Sequence, residues 1–525
     1  MGLAGGAAAH VPVDGYGASG LRRAGEALLA VIILATFTGV GAFSPGYDDE
    51  FYNIMAISGA DGLVGLVRRI NLGDVHPPLS YVANALTHRL LGSWGAVRAL
   101  NGFGVAVCLL LFLRAAVGAR RDLLLPCLLV AGLHPTLVMW TASLRWTSYF
   151  TAFLLLALTL ILRNPRRAAP FWGGLAVLLV AMFHTNYEAL LLAPGLVALA
   201  LHARWQRLRG EWPVALAALG LGALLCVPQV VAGLSWQLGR RSGQTGTLLA
   251  GLSGAAQGYL INSGLFALSP AGLLNAASVG GLAVLAAVRH GQHLLRMPLV
   301  LFWLGATILM VLTGIAVKPR NFTPLIPVLF VLLTILALTS NRPRLALVLL
   351  GGVVAAQMLG LLQVIAHRDT GKGSWNLPVA AVMEAVRTRA ASCPGATSVA
   401  VYDVVLANLL AQERGLHVIS LYTRATTRSD VVPAGDCLLV VETYRGSLSP
   451  ALLDRLRAAL PHLPADRIPL APDPHAAMKQ RFDADIPDAY VTLRDYGPLT
   501  QAVDLGVWRG GAALRQPPLS PETKP

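Results

Sequence analysis

Charge is what this chain has least of: 13% of its 525 residues are Asp, Glu, Lys or Arg, against roughly 25% in an ordinary soluble domain. That scarcity excludes a water-soluble fold for the chain as a whole. Cysteine is also scarce, at five residues, which excludes a disulfide-built scaffold, and the spacing fits no zinc-binding pattern. Cys108, Cys127 and Cys226 lie in apolar runs and read as small buried hydrophobes. Cys393 and Cys437 lie in the polar C-terminal part, where one disulfide can form if that part is outside the cytoplasm. The sequence has no repeat of solenoid length. It also lacks a basic stripe with interleaved aromatics, so the formal charge of +15 does not point to nucleic acid.

What the chain does have is long apolar runs, each close to the ~20 residues that cross ~30 Å of hydrocarbon. About eleven are read as spanning helices: Ala24 to Phe43, Arg98 to Val117, Leu123 to Trp140, Trp146 to Leu162, Phe171 to Phe183, Tyr187 to Leu201, Pro213 to Gly233, Ala271 to Val288, Pro298 to Val317, Phe322 to Leu338 and Leu345 to Ile365. The first is too long for a signal-peptide core and reads as an anchor.

Positive charge marks the cytoplasmic loops. Arg22 and Arg23 precede the first run, and alternate loops carry Arg114, Arg120 and Arg121; Arg163, Arg166 and Arg167; Arg204, Arg207 and Arg209; Arg289 and Arg296; Arg342 and Arg344. That alternation predicts a cytoplasmic N-terminus and, with an odd number of spans, an external C-terminus. The other side receives loop 44–97, turns near Leu144 and Thr185, segment 234–270 and the turn at Lys318 to Asn321. Within loop 44–97, Phe51 to Ile57 and Leu63 to Ile70 are amphipathic enough to lie in the interface. The Gly- and Ser-rich stretch Gly233 to Pro270 has the length of a mobile segment or lid.

After about residue 365 the composition becomes that of a soluble domain. Strand-like runs Ser398 to Tyr402, His417 to Leu421 and Cys437 to Glu442 alternate with helix-like Val404 to Arg414 and Pro450 to Leu460. The expected organisation is a cytoplasmic segment 1–23, a transmembrane domain 24–365, a small extracytoplasmic α/β domain 366–515, and a Pro-rich disordered tail 516–525.

Chemistry concentrates on the predicted external side. Asp48, Asp49 and Glu50 follow the first span directly, and Asp74, His76, Pro77 and Pro78 come about 25 residues later. A carboxylate partly desolvated at a membrane boundary is a candidate proton acceptor, although three acids in a row are as readily a solvated loop cap. Arg145, Lys318 and Arg320 fall on the same face, where they can bind a phosphate or touch lipid headgroups.

The order of these elements resembles the C-type, membrane-embedded glycosyltransferases, in particular the protein O-mannosyltransferase and lipid A aminoarabinose transferase group. The residues that carry the resemblance are Gly46-Tyr-Asp-Asp-Glu-Phe-Tyr, Gly73-Asp-Val-His-Pro-Pro-Leu-Ser-Tyr, Ala142-Ser-Leu-Arg-Trp-Thr-Ser-Tyr, Phe183-His-Thr-Asn-Tyr and Lys318-Pro-Arg-Asn-Phe. The segment from Asp74 to Leu79 looks more like the mannosyltransferase form. The likeness extends from Ala24 to Leu338 and leaves the C-terminal domain unaccounted for.

The resemblance implies a polyprenyl-phosphate sugar donor and direct attack by an acceptor hydroxyl or phosphate on the anomeric carbon. By position Asp49 matches the base and Glu50 its partner, with Asp48 leaving the register open by one residue. Arg145, Lys318 and Arg320 match a site for the departing phosphate, with Asp74, His76, Tyr149 and His184 beside donor or acceptor. No cofactor is required; the acids and His76 nonetheless offer ligands for a divalent metal. Glycan, lipid and protein acceptors all stay open, as does the sugar. The expected location is a bacterial inner membrane with the site on the periplasmic side. The competing reading is a transporter or lipid flippase, which would place its charges near the bilayer midplane rather than at one face.

Overall fold

The computed structural model describes residues 16–43, 50, 53–54, 56–57, 60–73, 76–234, 248–260, 270–313, 319–365, 379–401, 406, 410, 413, 415–420, 437–442, 465–469 and 490–498. Two compact units divide the chain: 1–45 with 59–371, and 46–58 with 372–525.

The first unit is helical, as expected of apolar segments whose backbone groups find no partner in lipid. Its helices are α1 (Tyr16–Phe43), α2 (Gly62–Gly73), α3 (Leu79–Leu91), α4 (Trp94–Val117), α5 (Leu124–Gly132), α6 (Pro135–Thr141), α7 (Trp146–Arg163), α8 (Ala168–Phe183) and α9 (Ala189–Arg204). They continue with α10 (Leu208–Gln229), α11 (Leu248–Leu260), α12 (Pro270–His290), α13 (Pro298–Leu312), α14 (Pro319–Phe322), α15 (Ile326–Leu338) and α16 (Pro343–Ile365). Among the described residues seven helices are long and apolar enough to cross a membrane, and α8, α9 and α13 are shorter apolar helices.

The first unit departs from expectation in three places. The run from Leu123 to Trp140 is not one straight span but α5 and α6, bent by 64°. Pro135 opens α6; its missing N–H and its ring prevent the first helix from continuing through it. In loop 44–97, Leu79–Leu91 forms a helix that its mixed composition did not announce. Pro77 and Pro78 pre-set its entry, and Gly92, at φ 67°, closes it in a conformation that favours glycine. The stretch expected to be a mobile segment contains regular α11 at its centre, with 235–247 and 261–269 outside the described residues.

Small residues let the helices approach closely. A Cβ added at Gly102 of α4 would collide with the Phe37 carbonyl of α1, and one at Gly41 of α1 would collide with the backbone of Arg98. On α12 and α16 the same role falls to Gly281, against Leu349, and Gly352, against Ser278. The span Arg320–Leu338, which includes α15, is 94% buried; being apolar all round, it occupies the bundle centre.

At one end, Arg204 Nε pairs with Glu211 at 2.9 Å, and its Nη1 donates to Asn164 Oδ1 and the Pro165 carbonyl at 3.0 and 2.7 Å. The guanidinium also lies 4.5 Å from the Phe171 ring centroid. Loops 163–168 and 204–211, assigned to one side by their arginines, therefore meet. This buried charge is paired, as low dielectric requires.

In the second unit, α17 (Val379–Ala391) accompanies β1 (Thr397–Val401), β2 (Leu416–Ser420), β3 (Cys437–Glu442), β4 (Ala465–Pro469) and β5 (Tyr490–Pro498), in sheet order β2-β1-β3-β5-β4. β1 runs parallel to β2 and β3, and β5 antiparallel to β3 and β4. The first three strands fall on the predicted runs within one residue. β4, β5 and α17 were not anticipated. Helix-like Pro450 to Leu460 lies outside the described residues, as does most of Val404 to Arg414. Cys393 and Cys437 are joined by a disulfide that ties the end of α17 to β3. Arg387 Nη2 donates to Glu413 at 2.7 Å, holding that carboxyl below its usual range.

Close packing of α1 on α4 can be tested by a matched pair. Gly102→Ala should destabilise the purified protein by about 1–3 kcal/mol through overpacking, whereas Gly104→Ala, whose Cβ meets nothing within 4 Å, should be neutral or slightly stabilising. Thermal unfolding in detergent measures both.

Candidate active site

The centre of the site is the turn between α6 and α7. Arg145 is the N-cap of α7, in extended conformation (φ −87°, ψ 163°), and is buried. Amides from two other helices hold the turn. Asn84 of α3 donates from Nδ2 to the Leu144 carbonyl at 2.6 Å, and Asn101 of α4 donates to the Ser143 carbonyl at 2.9 Å. Asn84 Oδ1 accepts from Asn101 Nδ2 at 3.1 Å and from the Tyr149 hydroxyl at 2.9 Å. Ser148 Oγ adds a bond to the Ser143 carbonyl at 2.8 Å. Both Asn84 and Asn101 are buried, so the network cannot exchange its bonds for water without cost.

Arg145 Nη1 donates to the Tyr81 hydroxyl at 3.4 Å, which links the guanidinium to α3. At the head of α3, His76 is buried with its ring centroid 5.6 Å from that of Trp146. The amide of Leu79, next in the Pro-Pro turn, donates to the His184 carbonyl at 3.0 Å. His184 itself, half-buried, places Nε2 3.2 Å from the Leu225 carbonyl.

Arg320 reaches the helix that precedes this turn. Its guanidinium carbon lies 5.8 Å from the Trp140 ring centroid, in a cation–π arrangement. Its neighbour Asn321 donates to the Glu188 carboxylate, and Glu188 is buried. Thus α14 is fixed to the turn 184–188 while Arg320 projects over Trp140.

Five predicted residues are therefore gathered around one end of the first unit: His76, Arg145, Tyr149, His184 and Arg320. Tyr149, expected beside donor or acceptor, spends its hydroxyl on Asn84. Glu50 belongs to the second unit and is buried. Asp48, Asp49, Asp74 and Lys318 lie outside the described residues. Among the described residues no three of His, Cys, Asp and Glu are grouped as metal ligands.

Residues that the sequence reading passed over are Tyr81, Asn84, Asn101, Trp140 and Asn321. A usable signal existed for Asn101, an uncharged amide within an apolar span, since buried polar groups there need partners. Asn84 carried none, because its helix was not foreseen.

The amino end of an α-helix carries about half an elementary positive charge, and Arg145 stands at the amino end of α7, with Arg320 over Trp140 of α6. Ser80 Oγ, Trp146 Nε1 and Thr147 Oγ1 are buried there without a hydrogen-bond partner among the described residues. Such a place is suited to an anion with several acceptor oxygens.

No protein-family profile and no curated protein matches the sequence. Two solved structures share the fold. The crystal structure of ArnT from Cupriavidus metallidurans in the apo state aligns with a TM-score of 0.53 at 14% identity, covering 93% of this chain and 99% of that one. The crystal structure of ArnT from the same organism bound to undecaprenyl phosphate aligns with a TM-score of 0.50 at 14% identity, covering 89% and 97%.

The amide network predicts a specific loss. Asn84→Ala removes the bonds to the Leu144 carbonyl, an Asn101 N–H and the Tyr149 hydroxyl, and should destabilise the protein by about 1–3 kcal/mol. Tyr149→Phe, which removes one bond, should cost about 1 kcal/mol. Chemical denaturation in detergent reads both.

Proposed function

We propose that this chain is a membrane glycosyltransferase that moves a sugar from a polyprenyl-phosphate donor to an acceptor hydroxyl or phosphate. One observation carries the reading: two arginines, Arg145 buried at the amino end of α7 and Arg320 over Trp140 of α6, flank the turn between those helices at the end of apolar segments. A phosphate joined to a long apolar chain fits a place where charge and hydrocarbon meet. The fold shared with ArnT, one of whose structures holds undecaprenyl phosphate, supports the same ligand class.

In this mechanism the acceptor oxygen attacks the anomeric carbon as the bond from that carbon to the phosphate oxygen breaks. The acceptor proton passes to Asp49, with Asp48 the alternative by one position. The bonding pair goes to the phosphate, and Arg145 and Arg320 stabilise its growing charge through paired N–H donors. Lys318, two residues before Arg320, adds charge at the same loop. His76 and His184, whose segments are joined by the bond from the Leu79 amide to the His184 carbonyl, contact donor or acceptor in this reading.

The site faces the side opposite the arginine-rich loops, which by the positive-inside rule is extracytoplasmic. The Cys393–Cys437 disulfide supports that assignment for the second unit, because such bonds persist outside the reducing cytoplasm. A bacterial inner membrane fits these features, with glycan, lipid and protein acceptors equally served. A transporter built from inverted repeats would have broken helices at corresponding positions of two halves; one bent pair is present among the described residues.

Transfer assays with a panel of polyprenyl-phosphate hexoses and pentoses test this reading. Asp49→Asn should lose at least about a hundredfold in rate, the scale of a general base, with Asp48→Asn near normal; the reverse pattern moves the base by one residue. Arg320→Ala should raise the donor KM by roughly tenfold or more. Full transfer by both aspartate variants removes this loop from the chemistry.

A further inference from the structure

We propose that the cavity where α4 ends, α5 begins and α7 ends is a binding site for the phosphate headgroup of an anionic membrane glycerophospholipid. It lies at the opposite ends of α4 and α7 from the candidate active site. The 18 residues of α7, at about 1.5 Å rise each, put roughly 27 Å between Arg145 and Arg163. The inference does not depend on the transferase reading.

The cavity measures about 330 Å³, and its lining includes Arg114, Val117, Arg121, Leu124, Leu162 and Arg163. Arg114 is in the last turn of α4, Arg163 in the last turn of α7, and Arg121 opens the short turn 121–123 before α5. The adjacent Arg120 is consumed locally, donating from Nη2 and Nε to Asp122 at 2.8 and 3.0 Å. Among the described residues no carboxylate pairs with Arg114, Arg121 or Arg163. Three like charges around one small cavity raise the local potential and favour a shared anion.

The bland alternative is that each arginine snorkels to water independently, helped by the negative carboxyl ends of α4 and α7. Two features argue against it. All three side chains line one cavity, where planar guanidinium forks can share the oxygens of one phosphate. The amino end of α5, the positive end of its dipole, opens at the same place through Leu124.

Free phosphate would satisfy the arginines equally well, but not the rest of the wall. Val117, Leu124 and Leu162 present apolar surface beside the charges, which suits the glycerol ester and upper acyl chain of a lipid and gives nothing to a small ion. The volume lies at the low end of the ~300–1,000 Å³ typical of small-molecule sites, enough for a headgroup. Basic pockets between helices on the cytoplasmic side are a known mode of anionic lipid capture.

Native mass spectrometry of the delipidated full chain, titrated with phosphatidylglycerol or phosphatidylcholine, tests the proposal. The expected result is a phosphatidylglycerol adduct that phosphatidylcholine does not form and that millimolar inorganic phosphate does not displace. Arg121→Ala with Arg163→Ala should weaken it roughly thirtyfold. Ala115→Trp, which fills the cavity and keeps the charges, should also abolish the adduct. Arg166→Ala, an exposed arginine on the same loop outside the cavity, should leave it unchanged. Equal binding of phosphatidylcholine, displacement by inorganic phosphate, equal loss in Arg166→Ala, or an adduct that survives both cavity variants would each overturn it.

Discussion

A guanidinium buried at the end of an apolar helix has to be held in place by polar groups that are themselves satisfied, and the architecture of this protein turns on how Arg145 meets that requirement. The turn before α7 is pinned by Asn84 and Asn101, which between them bond to the Leu144 and Ser143 carbonyls, to one another and to Tyr149. In a bundle that otherwise offers hydrocarbon, a broken bond in this network has no solvent replacement. The network therefore fixes where α3, α4 and α7 converge, and with them the aim of Arg145.

Charge is partitioned between the two ends of the first unit, and each end handles it differently. At one end Arg204 and Glu211 are buried as a pair and further bonded to the 164–167 segment, a neutral arrangement that joins loops and leaves little field. At the other end Arg145 donates to the Tyr81 hydroxyl and Arg320 lies over the Trp140 ring, contacts that position the two guanidiniums. Glu188, the buried carboxylate nearby, is occupied by Asn321. The first arrangement suits a structural staple and the second suits binding an anion.

Much of this was legible in the sequence because the bilayer imposes simple rules: run length gave the helices, and loop arginines sorted the turns into sets that do meet. Arg145, His76, His184 and Arg320 were singled out through the resemblance of the short segments that contain them and through their place on the predicted external side. The break at Pro135 was visible as a residue but not as a consequence, since prolines at 194, 213 and 228 sit inside helices that continue. Helix Leu79–Leu91 escaped because two of its polar residues, Ser80 and Asn84, are buried and so blur the polar face. The same applies to β5, whose pairing with both β3 and β4 depends on contacts distant in sequence.

The central claim is that the turn carrying Arg145 and the helix carrying Arg320 together hold a polyprenyl phosphate. Equilibrium binding of undecaprenyl phosphate to the purified full chain in detergent addresses it most directly. The account predicts saturable binding that Arg145→Ala and Arg320→Ala each weaken by roughly tenfold or more, while Arg166→Ala, an exposed arginine beyond the far end of α7, leaves it intact. Binding that is absent, or equally strong in both site variants, would contradict it.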